Sequence, residues 1–411
     1  MNSEVVLNII LIILVADFVL ERTLDWLNNK AISPTLPPQA KGIYDEEQYA
    51  KMLKYEKETG RFGLLTSTIS FLVTFALLYS GFFGWFDGFI RFTFGSHPIY
   101  SGLLFFGILG LASDLLTTPF SIYGTFVIEA KYGFNKTTAK TYVLDKIKGW
   151  VLGGLIGGLL YAAIVWLYLQ FGEQFWIFAW VLIAGFSLIM NMFYASWILP
   201  LFNKLSPMEE GSLRDRITQY CAKINYPLTG LFVMDGSKRS TKANAFFSGL
   251  GKKKKIVLFD TLIEKLKEEE VEAVLAHEVG HYKKKHIQTS TVISILSTGV
   301  TLYIFSLILG NEMISGALGT NQPSFHISLI AFGFLFSPIS LVTGLLGNVL
   351  SRKNEFEADA FAKETSDSKA LSGALKTLAV DSLSNLTPHK AYVFFYYSHP
   401  PLLERLRELE G

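Results

Sequence analysis

Cysteine is almost missing from this chain of 411 residues, where Cys221 stands alone. A single thiol excludes an intramolecular disulfide and a cysteine-built metal site, so any bound metal must rest on histidines and carboxylates. Charge is scarce too: Asp, Glu, Lys and Arg together make up 18% of the residues, against roughly a quarter in soluble domains. The formal net charge of +2 offers no electrostatic footprint for nucleic acid, which is excluded as a partner. Repeats and low-complexity tracts are lacking as well. What the chain has in excess is apolar surface, with half of its residues hydrophobic and Phe at 34 positions. One aqueous core has no use for so much, so lipid is the expected solvent for a large part of the molecule.

Seven apolar stretches reach the length of about 20 residues that a helix needs to cross a bilayer. They lie near Val5–Trp26, Phe62–Phe86, Ile99–Ile128, Trp150–Phe171, Phe175–Leu201, Thr289–Leu309 and Phe325–Leu350. The first lacks a basic leader and a small-residue cleavage site, and its positive charges (Arg22, Lys30) follow it, so it reads as an anchor. Loop charge sets the expected orientation. Lys41, Lys51, Lys54, Lys57 and Arg61 follow the first stretch and Lys131, Lys136, Lys140, Lys146 and Lys148 the third, whereas the loops after the second, fourth and sixth carry only Arg91. The positive-inside rule then puts the N-terminus outside and both polar segments, 202–288 and 351–411, in the cytoplasm. A helix is expected across Asp45–Thr59, inside the first of these cytoplasmic loops.

The segment 202–288 carries His277-Glu278-Val279-Gly280-His281. On a helix, residues four apart differ by only about 40° around the axis, so His277 and His281 project side by side and can grip one Zn²⁺. Glu278 between them can polarise a water at the metal. Apolar Val271, Val274, Leu275 and Val279 at helical spacing predict a helix over Lys265–Tyr282. Catalytic zinc ordinarily has three protein ligands and an open position. The candidates for the third lie in Ser351–Ala362, where Glu355 and Asp359 are again four apart. We expect Glu355 on zinc and Asp359 behind it, hydrogen-bonding a ligand histidine, with Glu357 facing away. His286, about 140° round from His281, could join only if the helix ended first, so packing or a supporting role suits it better. Ala243–Ser248, Gly249-Leu250-Gly251 and Lys255–Phe259 read as a β-hairpin whose exposed strand could take an extended peptide, or which simply packs on the zinc helix with Lys252–Lys255 as a solvated or headgroup-contacting turn. Arg352 and Arg405 are either partners of Glu355, Asp359 or a substrate carboxylate, or surface charges.

Taken together, His277-Glu-Val-Gly-His281, Glu355-Phe-x-Ala-Asp359 and Ser398-His399-Pro400-Pro401-Leu402-Leu403-Glu404-Arg405-Leu406 resemble the type I CAAX prenyl proteases, which are integral-membrane zinc metalloendopeptidases. Tyr132-Gly133-Phe134-Asn135 and Asn244-Ala245-Phe246-Phe247-Ser248-Gly249 extend the resemblance along the chain. It implies zinc ligands at His277, His281 and Glu355, one ion per chain, and Glu278 as general base. It also implies substrate contacts at Asn244, Ala245 and Phe246, a role for His399 beside the reacting carbonyl, and a large chamber enclosed by the helices. The compact chain and short loop 310–324 favour a bacterial member in the inner membrane with its active site facing the cytoplasm, which argues against farnesylated CAAX proteins as the natural target. A eukaryotic member would sit in the ER membrane.

The expected molecule is an all-α polytopic membrane protein with seven transmembrane helices and a cytoplasmic metalloprotease region containing a small β-hairpin. Its parts are transmembrane helices 1–5 (residues 1–201), a catalytic loop (202–288), helices 6–7 (289–350) and a C-terminal segment (351–411). Its expected partners are membrane lipid and a peptide or protein substrate, including lipid-modified ones. A quality-control protease using the same gluzincin-type site, with a glutamate third ligand, is the alternative enzyme. A scaffold with a vestigial metal site would predict loss of Glu278 or a ligand, and all are present. A transporter is disfavoured because the spans hold few ionisable residues beyond Asp17 and Asp114.

Overall fold

A computed structural model describes residues 2–248, 255–320 and 322–411. Among the described residues, six helical segments are long and apolar enough to cross a membrane: Ser3–Ala31, Glu46–Tyr79, Pro98–Tyr132, Ala139–Phe202, His286–Ile308 and Phe325–Thr365. The fourth is divided at Gly172, whose φ of 55° and ψ of −129° end one helix, Ala139–Phe171, before the next, Phe175–Trp197. These segments are apolar on the outside. Ile12, Val19, Leu116, Val181 and Leu346 all face outward, which in water would be an aggregation surface and in hydrocarbon is the solvated one.

Local chemistry sets the helix ends. Asp45 and Gln48 form a capping box, so the helix expected over Asp45–Thr59 is continuous with the following apolar segment and runs unbroken from Glu46 to Tyr79. The expected stretch Phe62–Phe86 does not stay one helix, because Gly81 turns the chain with φ 68° and a separate helix, Phe82–Phe94, begins. This short helix packs against the 310–324 loop. The backbone N–H of Gly84 donates to Leu318 O at 2.7 Å, and a Cβ on Gly84 would fall 2.1 Å from the Gly319 backbone. Only glycine permits that approach.

The polar segment after Phe202 folds into four strands, β1 (Leu205–Pro207), β2 (Gly230–Met234), β3 (Ala245–Ser248) and β4 (Lys255–Phe259), in the order β1-β2-β4-β3. β2 and β4 are parallel and the other pairs antiparallel. The expected hairpin is therefore the β3–β4 pair within a larger sheet, and Gly249, Leu250, Gly251, Lys252, Lys253 and Lys254 lie outside the described residues. Leu258, Leu262, Val271, Leu275, Val279 and Leu371 form one core under this sheet. The motif helix runs Glu268–Lys283, starting later than the expected Lys265 because Leu266 is extended and Lys267 caps it. The final long helix, Phe325–Thr365, has 41 residues and is roughly 60 Å long at 1.5 Å per residue. That is twice the hydrocarbon thickness, so its last turns project well into the polar region. Glu355 and Asp359 ride on those turns, so the expected boundary at residue 350 is no break in the chain.

A Gly84→Val chain is expected to lose about 1–3 kcal/mol of stability through this overpacking. The check is a lowered melting temperature in detergent.

Candidate metal centre

The motif helix and the long helix touch through small residues. Ala276, Ala358 and Ala362 are fully buried, and a Cβ on Gly280 would lie 2.9 Å from Ala358 Cα. Backbones this close bring side chains on their facing sides into one volume. His277 Nε2 and His281 Nε2 are 3.2 Å apart. Glu355 reaches them from the other helix, Oε2 at 3.4 Å from His277 Nε2 and Oε1 at 3.2 Å from His281 Nε2.

Each imidazole is held from behind. Asp359 Oδ1 is 2.7 Å from His277 Nδ1, so Nδ1 carries a proton and Nε2 is left to face the cluster. Arg405 in turn fixes Asp359 with two hydrogen bonds, Nε to Oδ2 at 2.8 Å and Nη2 to Oδ1 at 2.6 Å. Burial pulls the Arg405 guanidinium down, but Asp359 and then Glu355 outweigh it and keep it charged. Behind His281, His286 Nδ1 sits 3.1 Å from His281 Nδ1, and Glu357 Oε2 is 3.1 Å from His286 Nε2. A proton on His286 Nε2 toward the carboxylate leaves Nδ1 to accept from His281. Lys285 makes this possible: its left-handed φ of 63° ends the motif helix before His286 starts the next.

Three segments from distant parts of the chain thus meet at one cluster, and comparison with known proteins gives it a context. A model described as the CAAX prenyl protease N-terminal region, with five membrane helices, matches residues 27–204, and the M48 peptidase family model matches residues 207–411. The chain belongs to the CAAX prenyl protease family of M48 peptidases. It is 34% identical to an Arabidopsis thaliana CAAX prenyl protease 1 homologue, over 96% of this chain and 95% of that one, and 34% identical to a human homologue over 91% and 88%. The crystal structure of S. mikatae Ste24p superposes with a TM-score of 0.94, at 30% identity and 99% coverage of both chains. The protein is accordingly an integral-membrane metallopeptidase of the CAAX protease type.

The residues present suit the metal that an M48 peptidase implies. Glu355 Oε2 is buried without a hydrogen-bond partner, its nearest cationic groups His277 Nε2 at 3.4 Å and Arg405 Nη1 at 3.7 Å, so a cation between it and the imidazoles would complete its coordination. His277 has the complementary property. Burial pulls its imidazole down, yet Asp359 and Glu355 carry it up to about 9. The cluster draws a proton onto His277 where a divalent cation would otherwise sit. Burial also pushes the Glu278 carboxyl up, against the pull of His277 and His281.

The other expected residues divide into those at the cluster and those near it. His399 is exposed, with Nε2 3.4 Å from Glu355 Oε1 and Nδ1 3.0 Å from Ser398 Oγ. Asn244 lies at the start of β3, its Oδ1 accepting from Ala245 N at 2.8 Å and its backbone O from Phe259 N. The Tyr132–Asn135 stretch steadies this approach, with Thr241 N donating to Phe134 O and Lys136 N to Arg239 O. Phe246 packs with Ala195, Leu199 and Val257, so its side chain serves the join between sheet and membrane helices. Arg352 is not at the cluster: it donates to Val393 O and Tyr397 O, holding the helix Lys390–Tyr396 by its end. Glu357 does face away from Glu355, as helical geometry requires, and its use is His286. Neither Arg405 nor the His286–Glu357 pair was assignable from spacing, because each depends on how separate helices pack.

Asp359→Asn and His286→Ala are each expected to lower zinc affinity by about 10- to 100-fold, measured by competition with a chelator. Because His277 stands at about 9 without metal, zinc uptake at pH 7 should release about one proton per ion, and affinity should fall about tenfold per pH unit as pH drops through that range. Calorimetry in buffers of differing ionisation enthalpy counts the proton.

Proposed function

We propose that His277, His281 and Glu355 hold one Zn²⁺ and that the chain hydrolyses peptide bonds of protein substrates beside it. The observation that carries this reading is the convergence of two imidazole Nε2 atoms and a buried carboxylate, one of whose oxygens has no hydrogen bond. Bound zinc supplies Lewis acidity at the scissile carbonyl and lowers the pKa of water towards about 7. Glu278 leaves its helix about 100° round from His277, and its raised carboxyl suits a base that takes a proton from water and returns it to the leaving amine. His399, exposed beside Glu355, donates to the carbonyl oxygen as negative charge develops there. Asp359 and Arg405 keep His277 oriented.

The substrate lies extended along β3. The sheet order puts β3 at an edge, where main-chain groups can pair with a peptide irrespective of sequence. Asn244, Ala245 and Phe246 line its start, the last through its backbone. The membrane part has seven spans, counting Ala139–Phe171 and Phe175–Trp197 separately, and the helices enclose a chamber. Residues 202–288 and 351–411 face the cytoplasm, supported by the lysine-rich loops. The four parts ending at residues 201, 288, 350 and 411 serve as membrane bundle, catalytic loop, second bundle and ligand-bearing C-terminal segment. The relatives compared above are eukaryotic; the short 310–324 loop supports a bacterial inner-membrane setting, with the ER membrane its eukaryotic counterpart. Substrates include proteins processed near a C-terminus, with or without a prenyl group.

Glu278→Gln should retain zinc and lose peptide hydrolysis by at least about a hundredfold, measured with purified protein and matched prenylated and unprenylated peptides. Undiminished cleavage would sink the assignment of the base.

A further inference from the structure

Away from the metal centre, the start of the second apolar helix and the end of the third line an open cavity of about 960 Å³. Its polar rim carries Lys51, Lys54, Lys57, Arg61 and Lys131 against one carboxylate, Glu58. Glu58 is already occupied, accepting from Lys131 Nζ at 2.6 Å and Tyr132 OH at 2.8 Å. Among the described residues, Lys51, Lys54, Lys57 and Arg61 have no ion pair or side-chain hydrogen bond. Their spacing gathers them within about 120° of one helix face. Lys57 and Arg61 also border a neighbouring cavity that holds Asp25 and Glu56, whereas Lys51 and Lys54 do not.

The other half of the cavity is apolar, with Phe62, Leu65, Pro119, Phe120, Tyr123 and Ile128. The change is abrupt: Arg61 is the last charge before an uninterrupted uncharged run from Phe62 to Phe86, so the rim sits at the polar boundary of the bilayer. Pro119 lies within the third helix, and a π-helical turn, Gly124–Glu129, follows it. Such irregularities open a wall that a regular helix would close. A ligand for this site needs concentrated negative charge and an apolar tail lying on the membrane side.

We propose that the cavity binds an anionic phospholipid, its phosphodiester against Lys51, Lys54 and Lys131 and the first part of an acyl chain against Leu65 and Phe120. Ordinary topogenic lysines need no concave apolar floor; a lipid headgroup pocket between helices has both parts. No residue of the metal centre lines this cavity, so its failure would leave the peptidase reading untouched.

The test uses the full chain in phosphatidylcholine nanodiscs containing phosphatidylglycerol, with bound lipid read by native mass spectrometry. Replacing Lys51, Lys54 and Lys131 together by Gln should weaken phosphatidylglycerol retention by at least about tenfold, with zinc content and peptide cleavage in detergent unchanged. A control in which Lys41, Lys136 and Lys140 become Gln should retain it. Equal loss in the control, or equal retention in both, overturns the proposal. So does a raised KM for peptide in lipid-free detergent, which would make the cavity a substrate site. Independently of folding in the triple variant, a Leu65→Trp probe should be quenched more by brominated phosphatidylglycerol than by brominated phosphatidylcholine; equal quenching counts against the site.

Discussion

The architecture turns on one close contact, the crossing of the motif helix over the long helix at Gly280 and Ala358. A Cβ at Gly280 would already press on the Ala358 backbone, so the two helices meet as nearly as backbones can. Interiors are packed as densely as crystals and do not stretch to absorb an extra methyl. The separation of Glu355 from the two histidines is therefore set by backbone contact, not by flexible side chains. All three proposed ligands are carried on helical backbone, which is more exact than a loop for holding a metal.

Around that crossing, each histidine has a support of different character. His277 rests on a buried, doubly hydrogen-bonded carboxylate–guanidinium pair, Asp359 and Arg405. A buried ion pair is weak as a source of stability but good at fixing orientation. His281 rests on His286, which is tied to the half-exposed Glu357. Arg405 and His399 come from the C-terminal segment, which therefore packs directly against the cluster.

The membrane helices contribute by continuing beyond the hydrocarbon. The long helix is embedded along its first half and bears Glu355 and Asp359 on its last turns. Helix Glu46–Tyr79 likewise starts with four polar turns before its apolar run. These two helices run without a break from apolar span into polar region, which ties that region directly to the membrane part. The lysine-rimmed cavity lies on the same boundary.

Much of this was legible in the order of residues. Apolar runs marked the membrane segments, since burial in lipid demands length and hydrophobicity that few other contexts need. Spacing of four marked His277 with His281 and Glu355 with Asp359, because helical periodicity alone puts such pairs on one face. Helix ends were harder: the break at Gly81, the capping box at Asp45 and the late start at Lys267 are local events that hydropathy averages away. The larger sheet around β3 and β4 escaped because β2 pairs with β4 across a long excursion. Of the residues that stand behind the histidines, Asp359 was legible from its spacing, whereas Arg405 was one option among several and the His286–Glu357 pair was not foreseen. His286 turns back only because Lys285 is left-handed, and Arg405 reaches Asp359 only because the C-terminal helix packs beside the long one. The chain by itself determined the membrane class, the types of side chain open to a metal and the pairs that share a helix face, all consequences of local period and composition. The tertiary structure alone decided that the pairs face each other, because the distance between two helices depends on what packs between them, and here that is a glycine against an alanine.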